Sequence, residues 1–95
     1  MKANALMITP QDDVVVAIAA LKAGDQVAYM QEEKQETLTA ATDVPPYHKI
    51  AVRDLPCGTV VKKYNQIIGA ATKDVRKGEH VHVHNLDSLN KVQGK

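Results

Sequence analysis

Short apolar segments alternate with turn residues along the chain, and this pattern predicts a domain built from short β-strands. The segments suited to strands lie at 5–8, 14–18, 26–30, 37–39, 50–53, 59–61 and 79–81. The polar stretch at 31–43 predicts an exposed hairpin or loop. The proline pair in 44–46 predicts a stiff extended connector, because proline fixes its own φ and restrains the residue before it.

Residues 13–20 are the segment for which local signals leave helix and strand open. Thr9 as an N-cap, Pro10 at the first helical position and Asp12 three residues after Thr9 would start a helix. The continuous β-branched run at 14–16 suits a buried strand instead.

A six-residue motif occurs twice in the second half of the chain. It reads Arg-Asp-Leu-Pro-Cys-Gly at 53–58 and Lys-Asp-Val-Arg-Lys-Gly at 73–78, and a weaker copy without the aspartate lies at 21–24. Aspartate can accept hydrogen bonds from backbone N–H groups two or three residues on, and glycine adopts positive φ without a steric penalty. We therefore predict three tight corners in a strongly bent all-β fold, with a hairpin turn at 64–66.

The composition bounds the class of protein. With 95 residues, no Phe or Trp and a net charge of +1, the chain has room for one domain with an aliphatic core. We assign this domain to residues 1–87 and a flexible tail to 88–95. The charge argues against nucleic acid and the membrane surface as partners. Three features predict a cytoplasmic protein. The chain has a single cysteine, Cys57, to which we assign no catalytic role. It also lacks an apolar run of roughly 18–20 residues and a signal-peptide pattern.

His80, His82 and His84 alternate with valines near the end of the chain. On a strand they would project from one face, where neutral imidazoles can converge on a metal ion. An exposed polar face that binds nothing is the alternative, and nearby acidic or cysteine ligands are few. We assign no metal ligand to this chain from the pattern.

Further polar side chains could contact a carboxylate or a hydroxyl group: His48, Lys49, Lys63, Tyr64 and Asn85. Solvation at a turn, a strand end or the surface is the alternative for each. The chain contains no P-loop, Rossmann glycine pattern, nucleophile elbow or zinc CxxC motif. These residues suit a polyhydroxy or carboxylate ligand and do not by themselves name a reaction.

The block 48–85 resembles the N-terminal SAF domain, a β-clip fold, of the altronate and galactarate dehydratase family. The matching residues are His48-Lys49, Ala51, Asp54-Leu55, Gly58, Val61, Lys63-Tyr64, Ile68-Gly69, Ala71, Asp74-Val75, Gly78, His80-Val81-His82 and His84-Asn85. Asn65 stands where the family has glycine, and asparagine tolerates the same left-handed turn. The resemblance implies a small all-β SAF domain and favours a strand within 13–20.

The resemblance also implies a function. The chain would be the small accessory subunit of a sugar-acid dehydratase, a lyase, and would cap the active site of a separate large catalytic subunit. The family's Fe²⁺ would belong to that large subunit and would not be bound by this chain alone, which would be inactive in isolation. His82 and His84 would be the catalytic acid and base, and the small hydroxy-acid substrate would be bound by His48, Lys49, Lys63, Tyr64, His80 and Asn85.

Three alternatives to this function remain open. The chain could be the small subunit of a sulfolactate sulfo-lyase, or a non-catalytic SAF module that binds a carbohydrate acid or a protein partner. The third alternative is an autonomous metalloprotein that uses His80, His82 and His84. Without its partner, a domain with edge strands could also self-associate into a homo-oligomer.

Overall fold

The computed structural model describes residues 2–7, 9, 11–63, 66–82 and 84–88, and within these ranges it contains nine β-strands and no helix. The strands are β1 (Ala5–Leu6), β2 (Val14–Ala17), β3 (Gln26–Gln31), β4 (Lys34–Thr39), β5 (Lys49–Ala51), β6 (Val60–Lys63), β7 (Gln66–Ala71), β8 (His80–Val81) and β9 (Leu86–Ser88). They form an antiparallel sheet in the order β1-β2-β5-β8, a β3–β4 hairpin and a β6-β7-β9 sheet. The predicted all-β fold is confirmed, and no helix able to cross a membrane occurs in the described ranges.

The four-stranded sheet has a hydrophobic core on each face. Val15 and Ile50 belong to one core, together with residues of the β3–β4 hairpin, whereas Val14 and Ala51 belong to a second core with residues of β6, β7 and β8. Neighbouring residues of a strand point to opposite faces, so a strand covered on both sides needs consecutive apolar residues. This explains why the run at 14–16 forms a strand, and the helix alternative is wrong.

Asp12 and Asp13 anchor the chain before β2. The buried carboxylate of Asp12 accepts hydrogen bonds from the backbone N–H of Thr9 (3.2 Å) and from its hydroxyl (2.6 Å). Asp13, also buried, accepts hydrogen bonds from the backbone N–H of Lys62 (2.9 Å) and from the guanidinium of Arg53 (2.8 Å). Asp12, which suggested a helix start, therefore stabilises a turn, and Asp13 links the chain to β6.

Four corners bend the chain, one more than predicted, and they lie at residues 21–25, 44–48, 55–59 and 75–79. In each corner the last residue donates its N–H to the carbonyl three residues earlier, at 2.9–3.3 Å. The residue before that donor has a positive φ, which is 96° at Gly24, 91° at Gly58, 92° at Gly78 and 67° at Tyr47. The extended connector predicted for 44–46 is wrong. It begins a corner that the sequence hides, because tyrosine occupies the position that glycine takes elsewhere.

The corners pair, the first with the second and the third with the fourth, through two isolated β-bridges. Aspartates accept hydrogen bonds from backbone N–H groups of the paired corner at 2.8–2.9 Å, namely Asp43 from Ala23, Asp54 from Lys77 and Asp74 from Cys57. The sequence predicted that Asp54 and Asp74 accept hydrogen bonds from backbone N–H groups two or three residues later in the chain. This prediction is wrong, because the facing corner presents its turn N–H to each carboxylate. The first corner has Ala20 at the aspartate position, and its counterpart Pro46 lacks an N–H.

The C-terminal part differs from the prediction at its end. β6 and β7 form the predicted hairpin, in which Lys63 pairs with Gln66, and Tyr64 and Asn65 lie outside the described residues. β9 pairs with β7 and is a strand that the weak apolar pattern did not predict. It includes residue 88, which was assigned to the tail, whereas 89–95 lie outside the described residues. The division into a domain and a tail stays a prediction.

Candidate functional site

His48, His80 and His82 meet at the end of the β5–β8 strand pair, and we call them the imidazole cluster. Ile50 pairs with His80 in the antiparallel register. His48, which precedes β5 by one residue, therefore lies opposite His82, which follows β8 by one residue. Sequence reasoning placed His48 at a strand start without bringing it to the other histidines, because that contact depends on the strand register.

The three rings of the imidazole cluster are in contact. Nδ1 of His48 and Nε2 of His80 lie 2.8 Å apart, a hydrogen bond in which one nitrogen donates and the other accepts. The ring centroids of His48 and His82 are 4.4 Å apart, and the rings of His80 and His82 stack at 5.8 Å. Because the accepting nitrogen must be unprotonated, His48 and His80 cannot both be charged in this arrangement.

Burial and neighbouring titratable groups lower the pKa of two members of the cluster, His80 and His82. Burial lowers the pKa of His80 to about 4, with further contributions from His48, His84, His82 and Lys49. The pKa of His82 is lowered in the same way, by burial and then by His48, Lys49 and His84. At neutral pH the rings of His80 and His82 are therefore uncharged, and their lone pairs can accept a proton or bind a metal ion.

Two side chains hold the backbone of the cluster in place. Asn85 is buried, with 4% of its surface exposed. Its Nδ2 donates to the carbonyl of His80 (2.8 Å), and its Oδ1 accepts from the N–H of His82 (3.0 Å). The hydroxyl of Thr42 accepts from the N–H of His80 (3.1 Å). Sequence reasoning missed Thr42 and assigned Asn85 to the substrate. The structure shows Asn85 bonded to the backbone, and the substrate role stays a prediction.

The predicted alternation of histidines along one strand is wrong beyond Val81. β8 ends at that residue, and the N–H of Asn85 donates to the carbonyl of His82 (3.0 Å), which closes a turn. His84 lies in this turn with an exposed side chain, and its ring centroid is 5.1 Å from that of His80. His84 is therefore a neighbour of the imidazole cluster and not a member.

Two lysines make the surroundings of the cluster positive. Lys49 lies on β5 and Lys63 at the end of β6. The pKa of Lys49 is lowered by burial and by the charge of Lys63, so the two ammonium groups repel each other. A bound carboxylate would relieve this repulsion. The structure thus places Lys49 near the histidines and Lys63 near Lys49, whereas Tyr64 lies outside the described residues.

A cleft of about 320 Å³ adjoins the cluster through His80. It is lined by Thr42, Asp43, Lys73, Asp74, Glu79, His80, His84 and Asn85. Sequence reasoning assigned none of the three acidic residues to a site, although the repeated motif marks Asp74. The cleft combines carboxylates with imidazoles and one lysine, so it can bind a ligand that carries several hydroxyl groups.

The donor atoms of the cluster fit a transition-metal ion. One ring nitrogen each from His48, His80 and His82 lies within 4.8 Å of the other two. Neutral imidazole is a common ligand of Zn²⁺, Fe²⁺ and Ni²⁺. The metal alternative considered from the sequence used His84, and the structure groups His48 with the other two instead.

The family model of the altronate/galactarate dehydratase SAF domain matches residues 3–89. The chain belongs to this family. The match includes all four corners and the whole imidazole cluster, and it confirms the resemblance on which the SAF fold was predicted.

The relatives of this SAF domain include separate subunits and longer chains. Subunit alpha of (2R)-sulfolactate sulfo-lyase from Chromohalobacter salexigens is 35% identical over 74 residues, which cover 76% of this chain and 79% of that protein. The corresponding subunit of Paracoccus pantotrophus is 46% identical over 48 residues, 50% of this chain and 72% of that protein. Altronate dehydratase of Escherichia coli (strain K12) is 40% identical over 74 residues, which cover 78% of this chain and only 14% of the dehydratase.

By their names, two of these relatives are subunits of a sulfo-lyase and the third is a dehydratase. The SAF domain of this chain therefore belongs to a family of lyases. It corresponds to most of a sulfo-lyase alpha subunit and to a small part of an altronate dehydratase.

Proposed function

We propose that this chain is the small subunit of a lyase that acts on a short hydroxy acid and that it caps the active site of a large catalytic subunit. The observation that carries the proposal is the contact of three imidazoles, of which His80 and His82 have lowered pKa values, near Lys49, in a chain that covers 79% of a sulfo-lyase alpha subunit. A sugar acid is the proposed substrate, and loss of water is the proposed reaction. The isolated chain would be inactive, because most of the dehydratase relative has no counterpart in it.

The positive surroundings of the cluster suit the carboxylate of such a substrate. Lys49 is partly buried, and the positive charge of Lys63 repels the positive charge of Lys49. A carboxylate placed near them would be attracted by both positive charges, and the partly buried position of Lys49 would strengthen the attraction. We propose that His48 and His80 add hydrogen bonds to the substrate. Tyr64 and Asn85 are kept as proposed substrate contacts.

Loss of water from a hydroxy acid requires one proton to be removed and another to be supplied. A base takes the proton from the carbon next to the carboxylate, and that electron pair forms a C=C bond. The hydroxyl on the next carbon leaves as water after it receives a proton. Neutral His82 is suited to accept the first proton, and we propose that His84 supplies the second.

Ferrous iron is the cofactor that we propose for the assembled enzyme. When bound, such an ion polarises the carboxylate and the hydroxyl of a hydroxy acid. Proton transfer and placement of the carboxylate would remain tasks of the histidines and lysines of this chain.

Removal of sulfite from sulfolactate is the second candidate, and it is favoured by the coverage of the alpha subunit. The carboxylate and the base would be placed in the same way, but sulfite leaves as a stable anion and does not require a proton. The two candidates therefore differ in their need for the acid. We expect His84→Ala to impair a dehydratase and to leave a sulfo-lyase largely active.

Co-expression of the tagged chain with a large dehydratase-like chain from the same organism tests the subunit role. The purified pair should convert a hydroxy acid from a panel of sugar acids and sulfolactate in the presence of Fe²⁺, and neither chain alone should do so. A stable complex that turns over no substrate would refute the catalytic role. If no complex forms, the subunit role fails and a binding module becomes the better explanation.

Variants of the assembled enzyme test the assigned residues. His82→Ala should lower kcat by at least about tenfold, in the range expected when a proton-transfer group is lost. Lys49→Ala should raise KM, whereas Lys34→Ala, an exposed position on β4, is the matched control and should change neither constant. If both His82→Ala and His84→Ala lose less than about tenfold, the acid–base assignment is wrong.

A further inference from the structure

We propose that His48, His80 and His82 form a binding site for one divalent transition-metal ion and that this chain binds the ion without any partner. The proposal replaces the expectation that no metal is held by this chain alone. It stands on the geometry of the three rings, and it is an alternative to the use of His82 as a base, because a neutral imidazole that binds an ion has no lone pair left to accept a proton.

The distances between the ring nitrogens are close to those of a three-histidine site. In tetrahedral coordination, with metal–nitrogen bonds of about 2.0–2.1 Å, two ligand nitrogens lie about 3.3 Å apart. Nδ1 of His48 and Nε2 of His80 are 2.8 Å apart, and the three donor atoms fall within 4.8 Å of one another. One separation is therefore about 0.5 Å shorter than the required one and the others are at most 4.8 Å, so small side-chain rotations would bring all three nitrogens onto one ion.

The backbone that carries the ligands is already fixed. Asn85 holds the carbonyl of His80 and the N–H of His82, and Thr42 holds the N–H of His80. His48 is placed opposite His82 by the pairing of β5 with β8. An ion would replace the hydrogen bond between His48 and His80 and would order only the side chains, which lowers the entropic penalty of binding.

The ligand types select the class of ion. Three neutral imidazoles suit Zn²⁺, Fe²⁺, Co²⁺ or Ni²⁺, whereas Mg²⁺ and Ca²⁺ prefer oxygen ligands. Three protein ligands leave a fourth position open, as in catalytic rather than structural zinc sites. Lys49 and Lys63 repel a bound cation, so an anionic oxygen ligand at the open position would be favoured.

Titration of the metal-free full-length chain with Zn²⁺ in a calorimeter tests the site, and Co²⁺ supplies a visible absorption spectrum of the same site. We expect one ion per chain, and a Co²⁺ spectrum of a four-coordinate ion. The variants His48→Ala, His80→Ala and His82→Ala should each weaken Zn²⁺ binding by at least about tenfold, and His84→Ala is the matched control, with a change below about twofold. Mg²⁺ should not bind.

Circular dichroism and the corresponding glutamine variants show whether a loss of binding reflects unfolding. Glutamine keeps a polar side chain of similar size but provides no imidazole nitrogen, so a folded glutamine variant that still binds Zn²⁺ as tightly as the parent chain would overturn the proposal. Absence of stoichiometric binding by the parent chain would also overturn it. An equal effect of His84→Ala would show that a different set of histidines binds the ion.

Discussion

The packing around Gly78 predicts a large loss of stability for Gly78→Ala and a smaller loss for Gly58→Ala. Both glycines take the same position of a corner, with φ of 92° and 91°, so either substitution forces alanine into a left-handed backbone conformation. An added Cβ at Gly58 would meet no atom within 4 Å, whereas at Gly78 it would overlap the carbonyl oxygen of Thr39 and lie 3.2 Å from the nitrogen of Ala41. The two variants therefore separate the steric contact from the backbone strain.

The magnitudes follow from these two terms. A residue other than glycine at positive φ costs roughly 1–2 kcal/mol, and the restricted unfolded chain returns about 0.4–1 kcal/mol. We therefore expect Gly58→Ala to lower the free energy of unfolding by about 1 kcal/mol. At Gly78 the facing segment cannot withdraw easily, because the N–H of Ala41 donates to the carbonyl of Gly78 (2.8 Å). Overpacking adds about 1–3 kcal/mol, for a total of about 2–4 kcal/mol.

Urea unfolding followed by far-ultraviolet circular dichroism measures both free energies, since the chain has no tryptophan. In a domain of this size a difference of 1 kcal/mol shifts Tm by roughly 4–8 °C, so thermal unfolding should separate the two variants by at least about 4 °C. Equal losses in Gly58→Ala and Gly78→Ala would show that the segment facing Gly78 yields freely, and the reasoning would be refuted.

Three further predictions test separate contacts. Asn85→Ala removes both hydrogen bonds to the cluster backbone and should lower the free energy of unfolding, measured by urea unfolding, by about 1–3 kcal/mol. A loss below about 0.5 kcal/mol would contradict the anchoring role. Asp13→Ala removes the buried carboxylate that accepts from both the N–H of Lys62 and Arg53, so it should destabilise more than Arg53→Ala. The Arg53 side chain is 51% exposed, and such ion pairs contribute about 0–1 kcal/mol. The reverse order in urea unfolding would be inconsistent with this. In NMR of the metal-free protein, the pKa of His80 should be found at about 4, below its usual value of about 6.5. As the pH falls, the unfolded chain then binds a proton on this ring at a higher pH than the folded chain does. The contribution of the ring to the free energy of unfolding is therefore complete above pH 6.5 and is lost as the pH falls towards 4. A measured pKa of 6 or higher would show that burial does not act on this ring.

Local patterns were sufficient to predict most of the fold. The apolar run at 14–16 becomes a central strand because cores lie on both of its faces, and the glycine motifs mark three corners. The second corner, at 44–48, was not predictable in this way, because Tyr47 adopts the positive φ that glycine signals elsewhere. The pairing of corners through aspartates was also hidden, since a carboxylate can bond locally or to a segment about twenty residues away.

The candidate site was predictable residue by residue but not as an arrangement. His48, Lys49, Lys63 and His80 were recognised as polar groups near strand ends, yet their proximity depends on the registers of β5 with β8 and of the surrounding sheets. The end of β8 before His84 was not predicted, because periodicity along a strand does not show where the strand ends. The turn that ends β8 is held by hydrogen bonds between the side chain of Asn85 and the backbone of His80 and His82.

The position of Tyr47 supports the location of the site independently of the histidines. Its side chain is 76% exposed, so no packing contact of the chain requires a tyrosine there, and its φ of 67° is one that glycine would adopt with less strain. Strained backbone that stability does not explain is concentrated at functional sites. Tyr47 directly precedes His48, so a strained residue with an exposed side chain lies next to a member of the imidazole cluster in the chain.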